Sequence, residues 1–257
     1  MMDLGSPASN FVFVYGALRS GTTVFRLMLD HHPQIANPGE LDFLFDHLHP
    51  DPAMPGGWRY DLETLQLSRI FNDRALTIPE GLDGVDLLND FLWQLAQRCG
   101  SKQVMTINLH RHVDRVLAIF PKVRLIHMLR DPRDVARSSI QMGWSASIYT
   151  GVDHWITTET AWDAGTRGID PAQVFTLTYE DLFTDIEARL EAVCAFLGVD
   201  WDARMLDYHL DSTYTPPDPR LIAQWRHKCT PEDIALLEGK AADLMVARGY
   251  ELNGTPV

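Results

Sequence analysis

No stretch of the 257-residue chain approaches the roughly 18 consecutive apolar residues of a membrane-spanning helix, and its opening MMDLGSPASN lacks the basic and apolar regions of a secretory signal. A cytoplasmic location without a membrane span is expected. Cysteine is scarce: Cys99, Cys194 and Cys229 stand far apart without the paired spacing of a zinc site, so reduced thiols and no structural metal are expected. Positive charge is scarce too. Lysine and arginine number 22 against 35 aspartates and glutamates, a formal net charge of −13, which argues against nucleic acid or anionic membrane as partners. Any anion must then be held by a local basic pocket, which favours a small ligand. Internal repeats and low-complexity tracts are absent, and 46% apolar content over this length suits one α/β domain with an ample core.

What is present is organised around FVFVYGALRSGTTVFRLMLD, residues 11–30: a short apolar run, a glycine-bearing turn and an apolar helical run. Gly16, four residues, Gly21 and then Thr22-Thr23 have the spacing of a phosphate-binding loop, with threonine at the usual lysine position. Glycines let backbone N–H groups close around an anion, and the helix start near Gly21 adds unpaired amides and the positive dipole end. The cation stands instead at Arg19, a fixed charge that can grip phosphate or sulfate oxygens by two parallel hydrogen bonds. Without the lysine that serves the terminal phosphates of a triphosphate, another phosphorylated donor is favoured.

Further along, His31-His32-Pro33 ends the first helix, and Pro38-Gly39 makes a turn that presents Glu40. Glu40 reads either as a general base at the edge of the phosphate site or as a solvated loop carboxylate. His47 and His49 lack a third ligand and read as surface residues. A Pro/Gly loop over 51–57 precedes helical patterns over 61–72 and 84–98. Residues 103–108 suit a short strand, and 123–129 form a nearly continuous apolar run typical of a parallel strand buried on both faces. At its C-terminal end, where α/β sheets meet ligands, sits RDPRDVARSS. There Asp131 caps a helix, Pro132 takes its first position and Asp134 completes a capping box. Capping accounts for Asp131 better than a magnesium-ligand role. Arg130 and Ser138 can converge on a second phosphate, whereas Arg133 and Arg137 read as solvent or ion-pair residues. Residues 144–168 read as loop and helix, with Trp144, Tyr149, Trp155 and Trp162 as core or substrate wall. A β-rich run over 174–178 leads into Tyr179-Glu180-Asp181-Leu182 and a helix closed by Gly198, and Thr230-Pro231-Glu232-Asp233 opens the last helix.

Arg19-Ser20-Gly21-Thr22-Thr23, Arg130 with Ser138, and Thr178-Tyr179-Glu180-Asp181-Leu182 together resemble the sulfotransferases that use 3′-phosphoadenosine 5′-phosphosulfate (PAPS). The resemblance implies a P-loop-type α/β domain over 1–257, a central parallel sheet wrapped by helices, with 43–98 and 144–168 as acceptor-site or lid segments. It implies that Arg19 to Thr23 hold the 5′-phosphosulfate, Arg130 and Ser138 the 3′-phosphate, and that Tyr179 contacts the adenine region. Arg226 and Lys228 would represent the basic C-terminal segment that closes on the donor. PAPS would be the co-substrate, adenosine 3′,5′-bisphosphate (PAP) the product, and no metal is required. With His32-Pro33 and Gly39-Glu40 following, the chain looks most similar to bacterial and tyrosylprotein-type members, in which that glutamate is the general base. The strand that carries lysine, or lysine and histidine, in many members has Met105, Thr106, Ile107 and Asn108 here, so the donor-activating lysine is missing and His110 is the alternative base. The implied reaction is sulfuryl transfer to a hydroxyl or amine of a small-molecule, glycan, lipid or peptide acceptor. A P-loop kinase with a degenerate loop, using ATP and magnesium, and a non-catalytic nucleotide-binding regulatory module are the rival readings.

Overall fold

The computed structural model describes residues 11–253. Every residue of β1 (Phe11–Tyr15) is buried, because alternate side chains enter opposite core layers. Phe11, Phe13 and Tyr15 point to one layer, and Val12 and Val14 to the other. β1 is the middle of a five-stranded sheet that also contains β2 (Ile35–Ala36), β5 (Val104–Leu109), β6 (Arg124–Leu129) and β7 (Val174–Thr178). The spatial order is β2-β5-β1-β6-β7 and all pairings are parallel, so the strands present their C-terminal ends on one side. Between β2 and β5 lie α2 (Phe43–Asp46), an antiparallel hairpin of β3 (Leu48–Pro50) and β4 (Trp58–Tyr60), and α3 (Leu62–Leu67), α4 (Arg69–Asp73) and α5 (Gly84–Arg98).

The Phe13 layer packs against α5 through Leu88, Phe91 and Leu92. α1 (Thr22–His31) and α11 (Ile186–Leu197) cover the other face with Phe25, Leu29, Leu190 and Val193. The remaining helices are α6 (Val113–Ile119), α7 (Pro132–Gln141), α8 (Ile148–Gly151), α9 (Asp153–Gly165), α10 (Tyr179–Thr184), α12 (Trp225–Lys228) and α13 (Pro231–Ala247). Trp155 and Trp162 are core residues, while Trp144 and Tyr149 are exposed. Among the described residues no helix is long and apolar enough to cross a membrane.

Two local readings change, and the loop reading of 51–57 holds. The 61–72 pattern is two helices, broken at Ser68, whose hydroxyl accepts from the Phe71 N–H and starts the second. The 51–57 loop is the connection of the β3-β4 hairpin. Asp131 caps α7 as expected, accepting from the Arg133 N–H, but Asp134 does not close a capping box. Asp134 Oδ1 instead accepts the Trp225 backbone N–H at 2.9 Å, and the Asp131 N–H donates to Glu180 Oε1 at 2.9 Å. A residue of the TYED motif thus finishes the cap that its own helix leaves open, tying the ends of β6 and β7 together.

Candidate active site

The loop after β1 keeps its shape because nothing larger than glycine fits at two points. A Cβ on Gly16 would lie 2.4 Å from the Met128 carbonyl oxygen, and one on Gly21 would lie 2.4 Å from the Tyr179 ring, with Gly21 at φ +91°. Between them Arg19 adopts φ 71°, a conformation arginine seldom takes, and such strain concentrates at functional loops. Its Nε donates to Ser138 Oγ at 2.9 Å, and its guanidinium lies 5.5 Å from the centre of the exposed Trp144 ring. Ser20 Oγ is buried and, among the described residues, has no hydrogen-bond partner. Buried polar atoms are almost always paired, so an orphan in a loop that can bind anions points to a ligand.

Arg130, at the mouth of β6, donates to the carbonyls of Arg19 at 3.1 Å and Leu221 at 3.3 Å. It also lies 4.0 Å from the centre of the Tyr179 ring, while its Nε is buried and unpartnered. Burial raises the Tyr179 phenol, keeping the ring neutral beside the guanidinium. Arg19, Gly21, Thr22, Thr23, Arg130 and Tyr179 border one cavity of about 390 Å³, completed by Tyr208, Tyr214, Gln224 and Lys228. That volume lies within the range of small-ligand pockets, about 300–1,000 Å³.

Arg137 belongs to this cavity, and the sequence reading placed it elsewhere. It is 9% exposed; Nη2 donates to Gln224 Oε1 at 2.8 Å, while Nε and Nη1 have no hydrogen-bond partner. Its nearest carboxylate oxygen, Asp134 Oδ1, is 3.6 Å from Nε, too long for a hydrogen bond. Helical spacing puts Arg137 on one face of α7 with Asp134 and Gln141, but nothing in the sequence tells which face meets the cavity. Arg133 is an ion-pair residue as expected, buried between Asp131 and Glu238. Asp131 is fully committed, its oxygens accepting from Arg133 and from Trp225 Nε1. Lys228 lines the cavity and donates to Gln224, whereas Arg226 is exposed and stacks 4.6 Å from the Trp225 ring, outside the cavity. Ser138 reaches the site through Arg19.

On the other side of β1, Glu40 forms an isolated bridge with Asn108 at the C-terminal end of β5. It is half-buried, and among the described residues its carboxylate accepts no hydrogen bond. The Arg74 guanidinium packs over the preceding Gly39, where a Cβ would be 3.0 Å from Nη2. Asn108 is structural: Nδ2 donates to the Thr22 carbonyl at 3.0 Å, and Oδ1 accepts from Asn37 at 2.9 Å. His110 follows, bonded to Asp42. His154, which the sequence did not single out, lies with Nε2 3.0 Å from the Leu18 carbonyl; burial lowers its pKa. His47 contacts Thr64 Oγ1 through Nδ1. The strand order therefore puts Arg19, Arg130 and the Tyr179 ring over β1, β6 and β7, and the Glu40 carboxylate beside Asn108 at the end of β5.

The family model described as "Sulfotransferase family" matches residues 11–203. Protein-tyrosine sulfotransferase A of Caenorhabditis elegans is 22% identical over 279 residues, covering 96% of this chain and 69% of that protein. An uncharacterized protein of Aquifex aeolicus is 24% identical over 217 residues, 80% of this chain, but the match spans only 28% of that protein's length. The sulfotransferase domain of the Synechococcus olefin synthase shares the fold with a TM-score of 0.71 at 23% identity, covering 95% of each chain. A mouse sulfotransferase solved with PAP aligns with a TM-score of 0.54 at 13% identity, covering 94% of this chain and 87% of that one.

Proposed function

The chain belongs to the sulfotransferase family, and from that premise we propose that it moves a sulfuryl group from PAPS to an acceptor hydroxyl or amine, with Glu40 as the general base. The observation that carries the donor assignment is the set of polar atoms buried and unpartnered among the described residues: Arg130 Nε and Arg137 Nε and Nη1, in residues that line one cavity, and Ser20 Oγ in the loop beside it. A buried charge without a partner is costly, so donors left open at separate points fit a ligand with two anionic groups. Tyr179, with Arg130 on its face, supplies the flat apolar wall that a purine needs.

The bound donor supplies an activated sulfuryl group. The loop amides with Ser20, Thr22 and Thr23 would hold its 5′ end, with Arg19 neutralising charge on the departing phosphate. Arg130 would hold the 3′-phosphate together with Ser138, Arg137 and Lys228. Glu40, open at the far side of the loop, would take the acceptor's proton as the acceptor oxygen or nitrogen attacks sulfur. Positioning and charge stabilisation carry chemistry of this kind. Residues 43–98 and 144–168 would build the acceptor pocket, with Trp144 beside Arg19 as one wall.

Calorimetric titration with PAP, and separately with ATP and magnesium, on wild type and Arg130→Ala tests the reading. Preferential binding of the bisphosphate, weakened in the variant, is the expected result. Preference for ATP with no effect at Arg130 would replace it with a kinase.

A further inference from the structure

Asp42 grips His110 twice. The His110 backbone N–H donates to Oδ1 at 2.8 Å, and Nδ1 lies 2.9 Å from Oδ2, which fixes Nδ1 as a protonated nitrogen. The other ring nitrogen, Nε2, lies 3.4 Å from Thr22 Oγ1. His110 is 5% exposed and Asp42 8% exposed. Both ring nitrogens meet partners inside the protein, which favours Glu40 over His110 as the base. Thr22, however, lines the donor cavity and stands where phosphate-binding loops carry lysine. Behind the hydroxyl that replaces that cation lies a group able to carry one.

We propose that Asp42, His110 and Thr22 form a relay in which a His110 imidazolium, balanced by Asp42, donates through Nε2–H to the Thr22 hydroxyl, which donates in turn to the donor's 5′-phosphate. The inference rests on the sulfotransferase reading. The direction of the hydrogen bonds decides the protonation state. A neutral ring would accept the Thr22 O–H and turn only oxygen lone pairs towards an anion, whereas an imidazolium frees that hydrogen for the phosphate. A neutral ring beside Asp42 would also leave net negative charge buried next to a polyanionic ligand, which the imidazolium cancels. Among the described residues, charged and titratable groups face the pair from three elements, and one of them, Arg111, offsets part of the Asp42 charge. His154 on α9 faces His110, and Tyr15 on β1 and Arg111 beyond β5 face Asp42. No proton changes hands; the relay brings positive charge to the phosphate by two hydrogen bonds. Asp42 and His110 are positioning residues, and Thr22 is the group that touches the ligand.

The test compares two nucleotides that differ only at the 5′ end. PAP and adenosine 3′-monophosphate are titrated into wild type, His110→Gln and Asp42→Asn. The relay predicts that both variants lose roughly tenfold or more in affinity for the bisphosphate, on the scale of a charge-assisted hydrogen bond, and bind the 3′-monophosphate as wild type does. Equal losses for both nucleotides mean a structural role only, and unchanged bisphosphate affinity means no role; either overturns the relay. Wild type that binds neither nucleotide overturns the donor reading, and the relay with it. Because both residues are buried, ¹⁵N spectra of the imidazoles in wild type saturated with bisphosphate at neutral pH give a reading without mutation. Two protonated nitrogens on His110 are expected, and a bare Nε2 overturns the relay.

Discussion

Arg137 shows what a binding site costs a protein at rest. Two of its nitrogens are buried and unpartnered, each carrying a desolvation penalty of about 1–3 kcal/mol that only a ligand relieves. Arg137→Leu removes those open nitrogens but also takes a cation from buried Asp134, 3.6 Å away, so the two effects oppose and the ligand-free protein is expected to stay within about 1 kcal/mol of wild type, read from the urea midpoint. The same variant should bind PAP at least about tenfold more weakly than wild type while AMP affinity changes little. A variant less stable than wild type by more than that would show that Arg137 supports the fold. Glu40 makes the opposite case, since its half-buried carboxylate accepts no hydrogen bond among the described residues and holds nothing in place. Glu40→Gln should leave bisphosphate affinity intact and lower turnover by roughly a hundredfold or more, the usual scale for losing a general base. Full turnover in that variant would remove Glu40 from the chemistry. The places of Arg19 and Arg130 at the cavity could be read from sequence because each follows a strand at a recognisable motif. Arg137 could not, because a helical arginine looks alike whether its outer nitrogens meet water or a buried cavity.

Among the elements, the strand-loop-helix around Gly16 to Thr23 and the start of α7 were legible because their signals are local: glycine spacing, an Asp-Pro cap and an apolar run buried on both faces. The failures were at junctions made by distant chain. Asp134 has the spacing of a capping box, yet it serves Trp225, 91 residues away, while Glu180 at the start of α10 accepts the Asp131 N–H. Another such junction joins α2 to the turn after β5, where Asp46 receives hydrogen bonds from Arg111 at 2.5 Å and lies 3.0 Å from His112 Nε2. Burial pushes the Asp46 carboxyl up, but the hydrogen bonds from His112 and Arg111 outweigh it and hold the pKa at about 2, against an ordinary 3.8. A carboxyl whose folded value is depressed stabilises the fold above its unfolded value and loses that contribution as it protonates. The stabilisation is therefore complete above about pH 4 and fades as pH falls towards 2. Asp46→Asn should be less stable than wild type at neutral pH, with the gap in denaturation midpoint narrowing between about pH 4 and pH 2. A gap that stays constant over that window would show that the pair contributes by shape and not by charge.

Across the whole molecule, the strand order divides the work. Everything that would touch the donor lies over β1, β6 and β7, whereas Glu40 stands beside Asn108 at the end of β5. The donor wall is also discontinuous in sequence. α7 supplies Arg137, the segment after the last strand supplies Leu221, Gln224 and Lys228, and direct hydrogen bonds from Arg130 and Arg137 join the two. In a chain of formal charge −13, this wall gathers cations whose mutual repulsion Asp134 and Glu180 relieve in part and bound anions would relieve further. Occupying the cavity should therefore tighten this half alone. Hydrogen exchange at a PAP concentration of about 100 times Kd should slow by up to about a hundredfold in α7 and in residues 219–228, because a ligand that binds only the closed form suppresses opening in that proportion. The β3-β4 hairpin and α5 should exchange as before. Slowing spread evenly over both halves would mean that the sheet opens as one unit and that the donor grips more than the wall described. Slowing confined to the Arg19 loop would leave residues 219–228 out of the donor site.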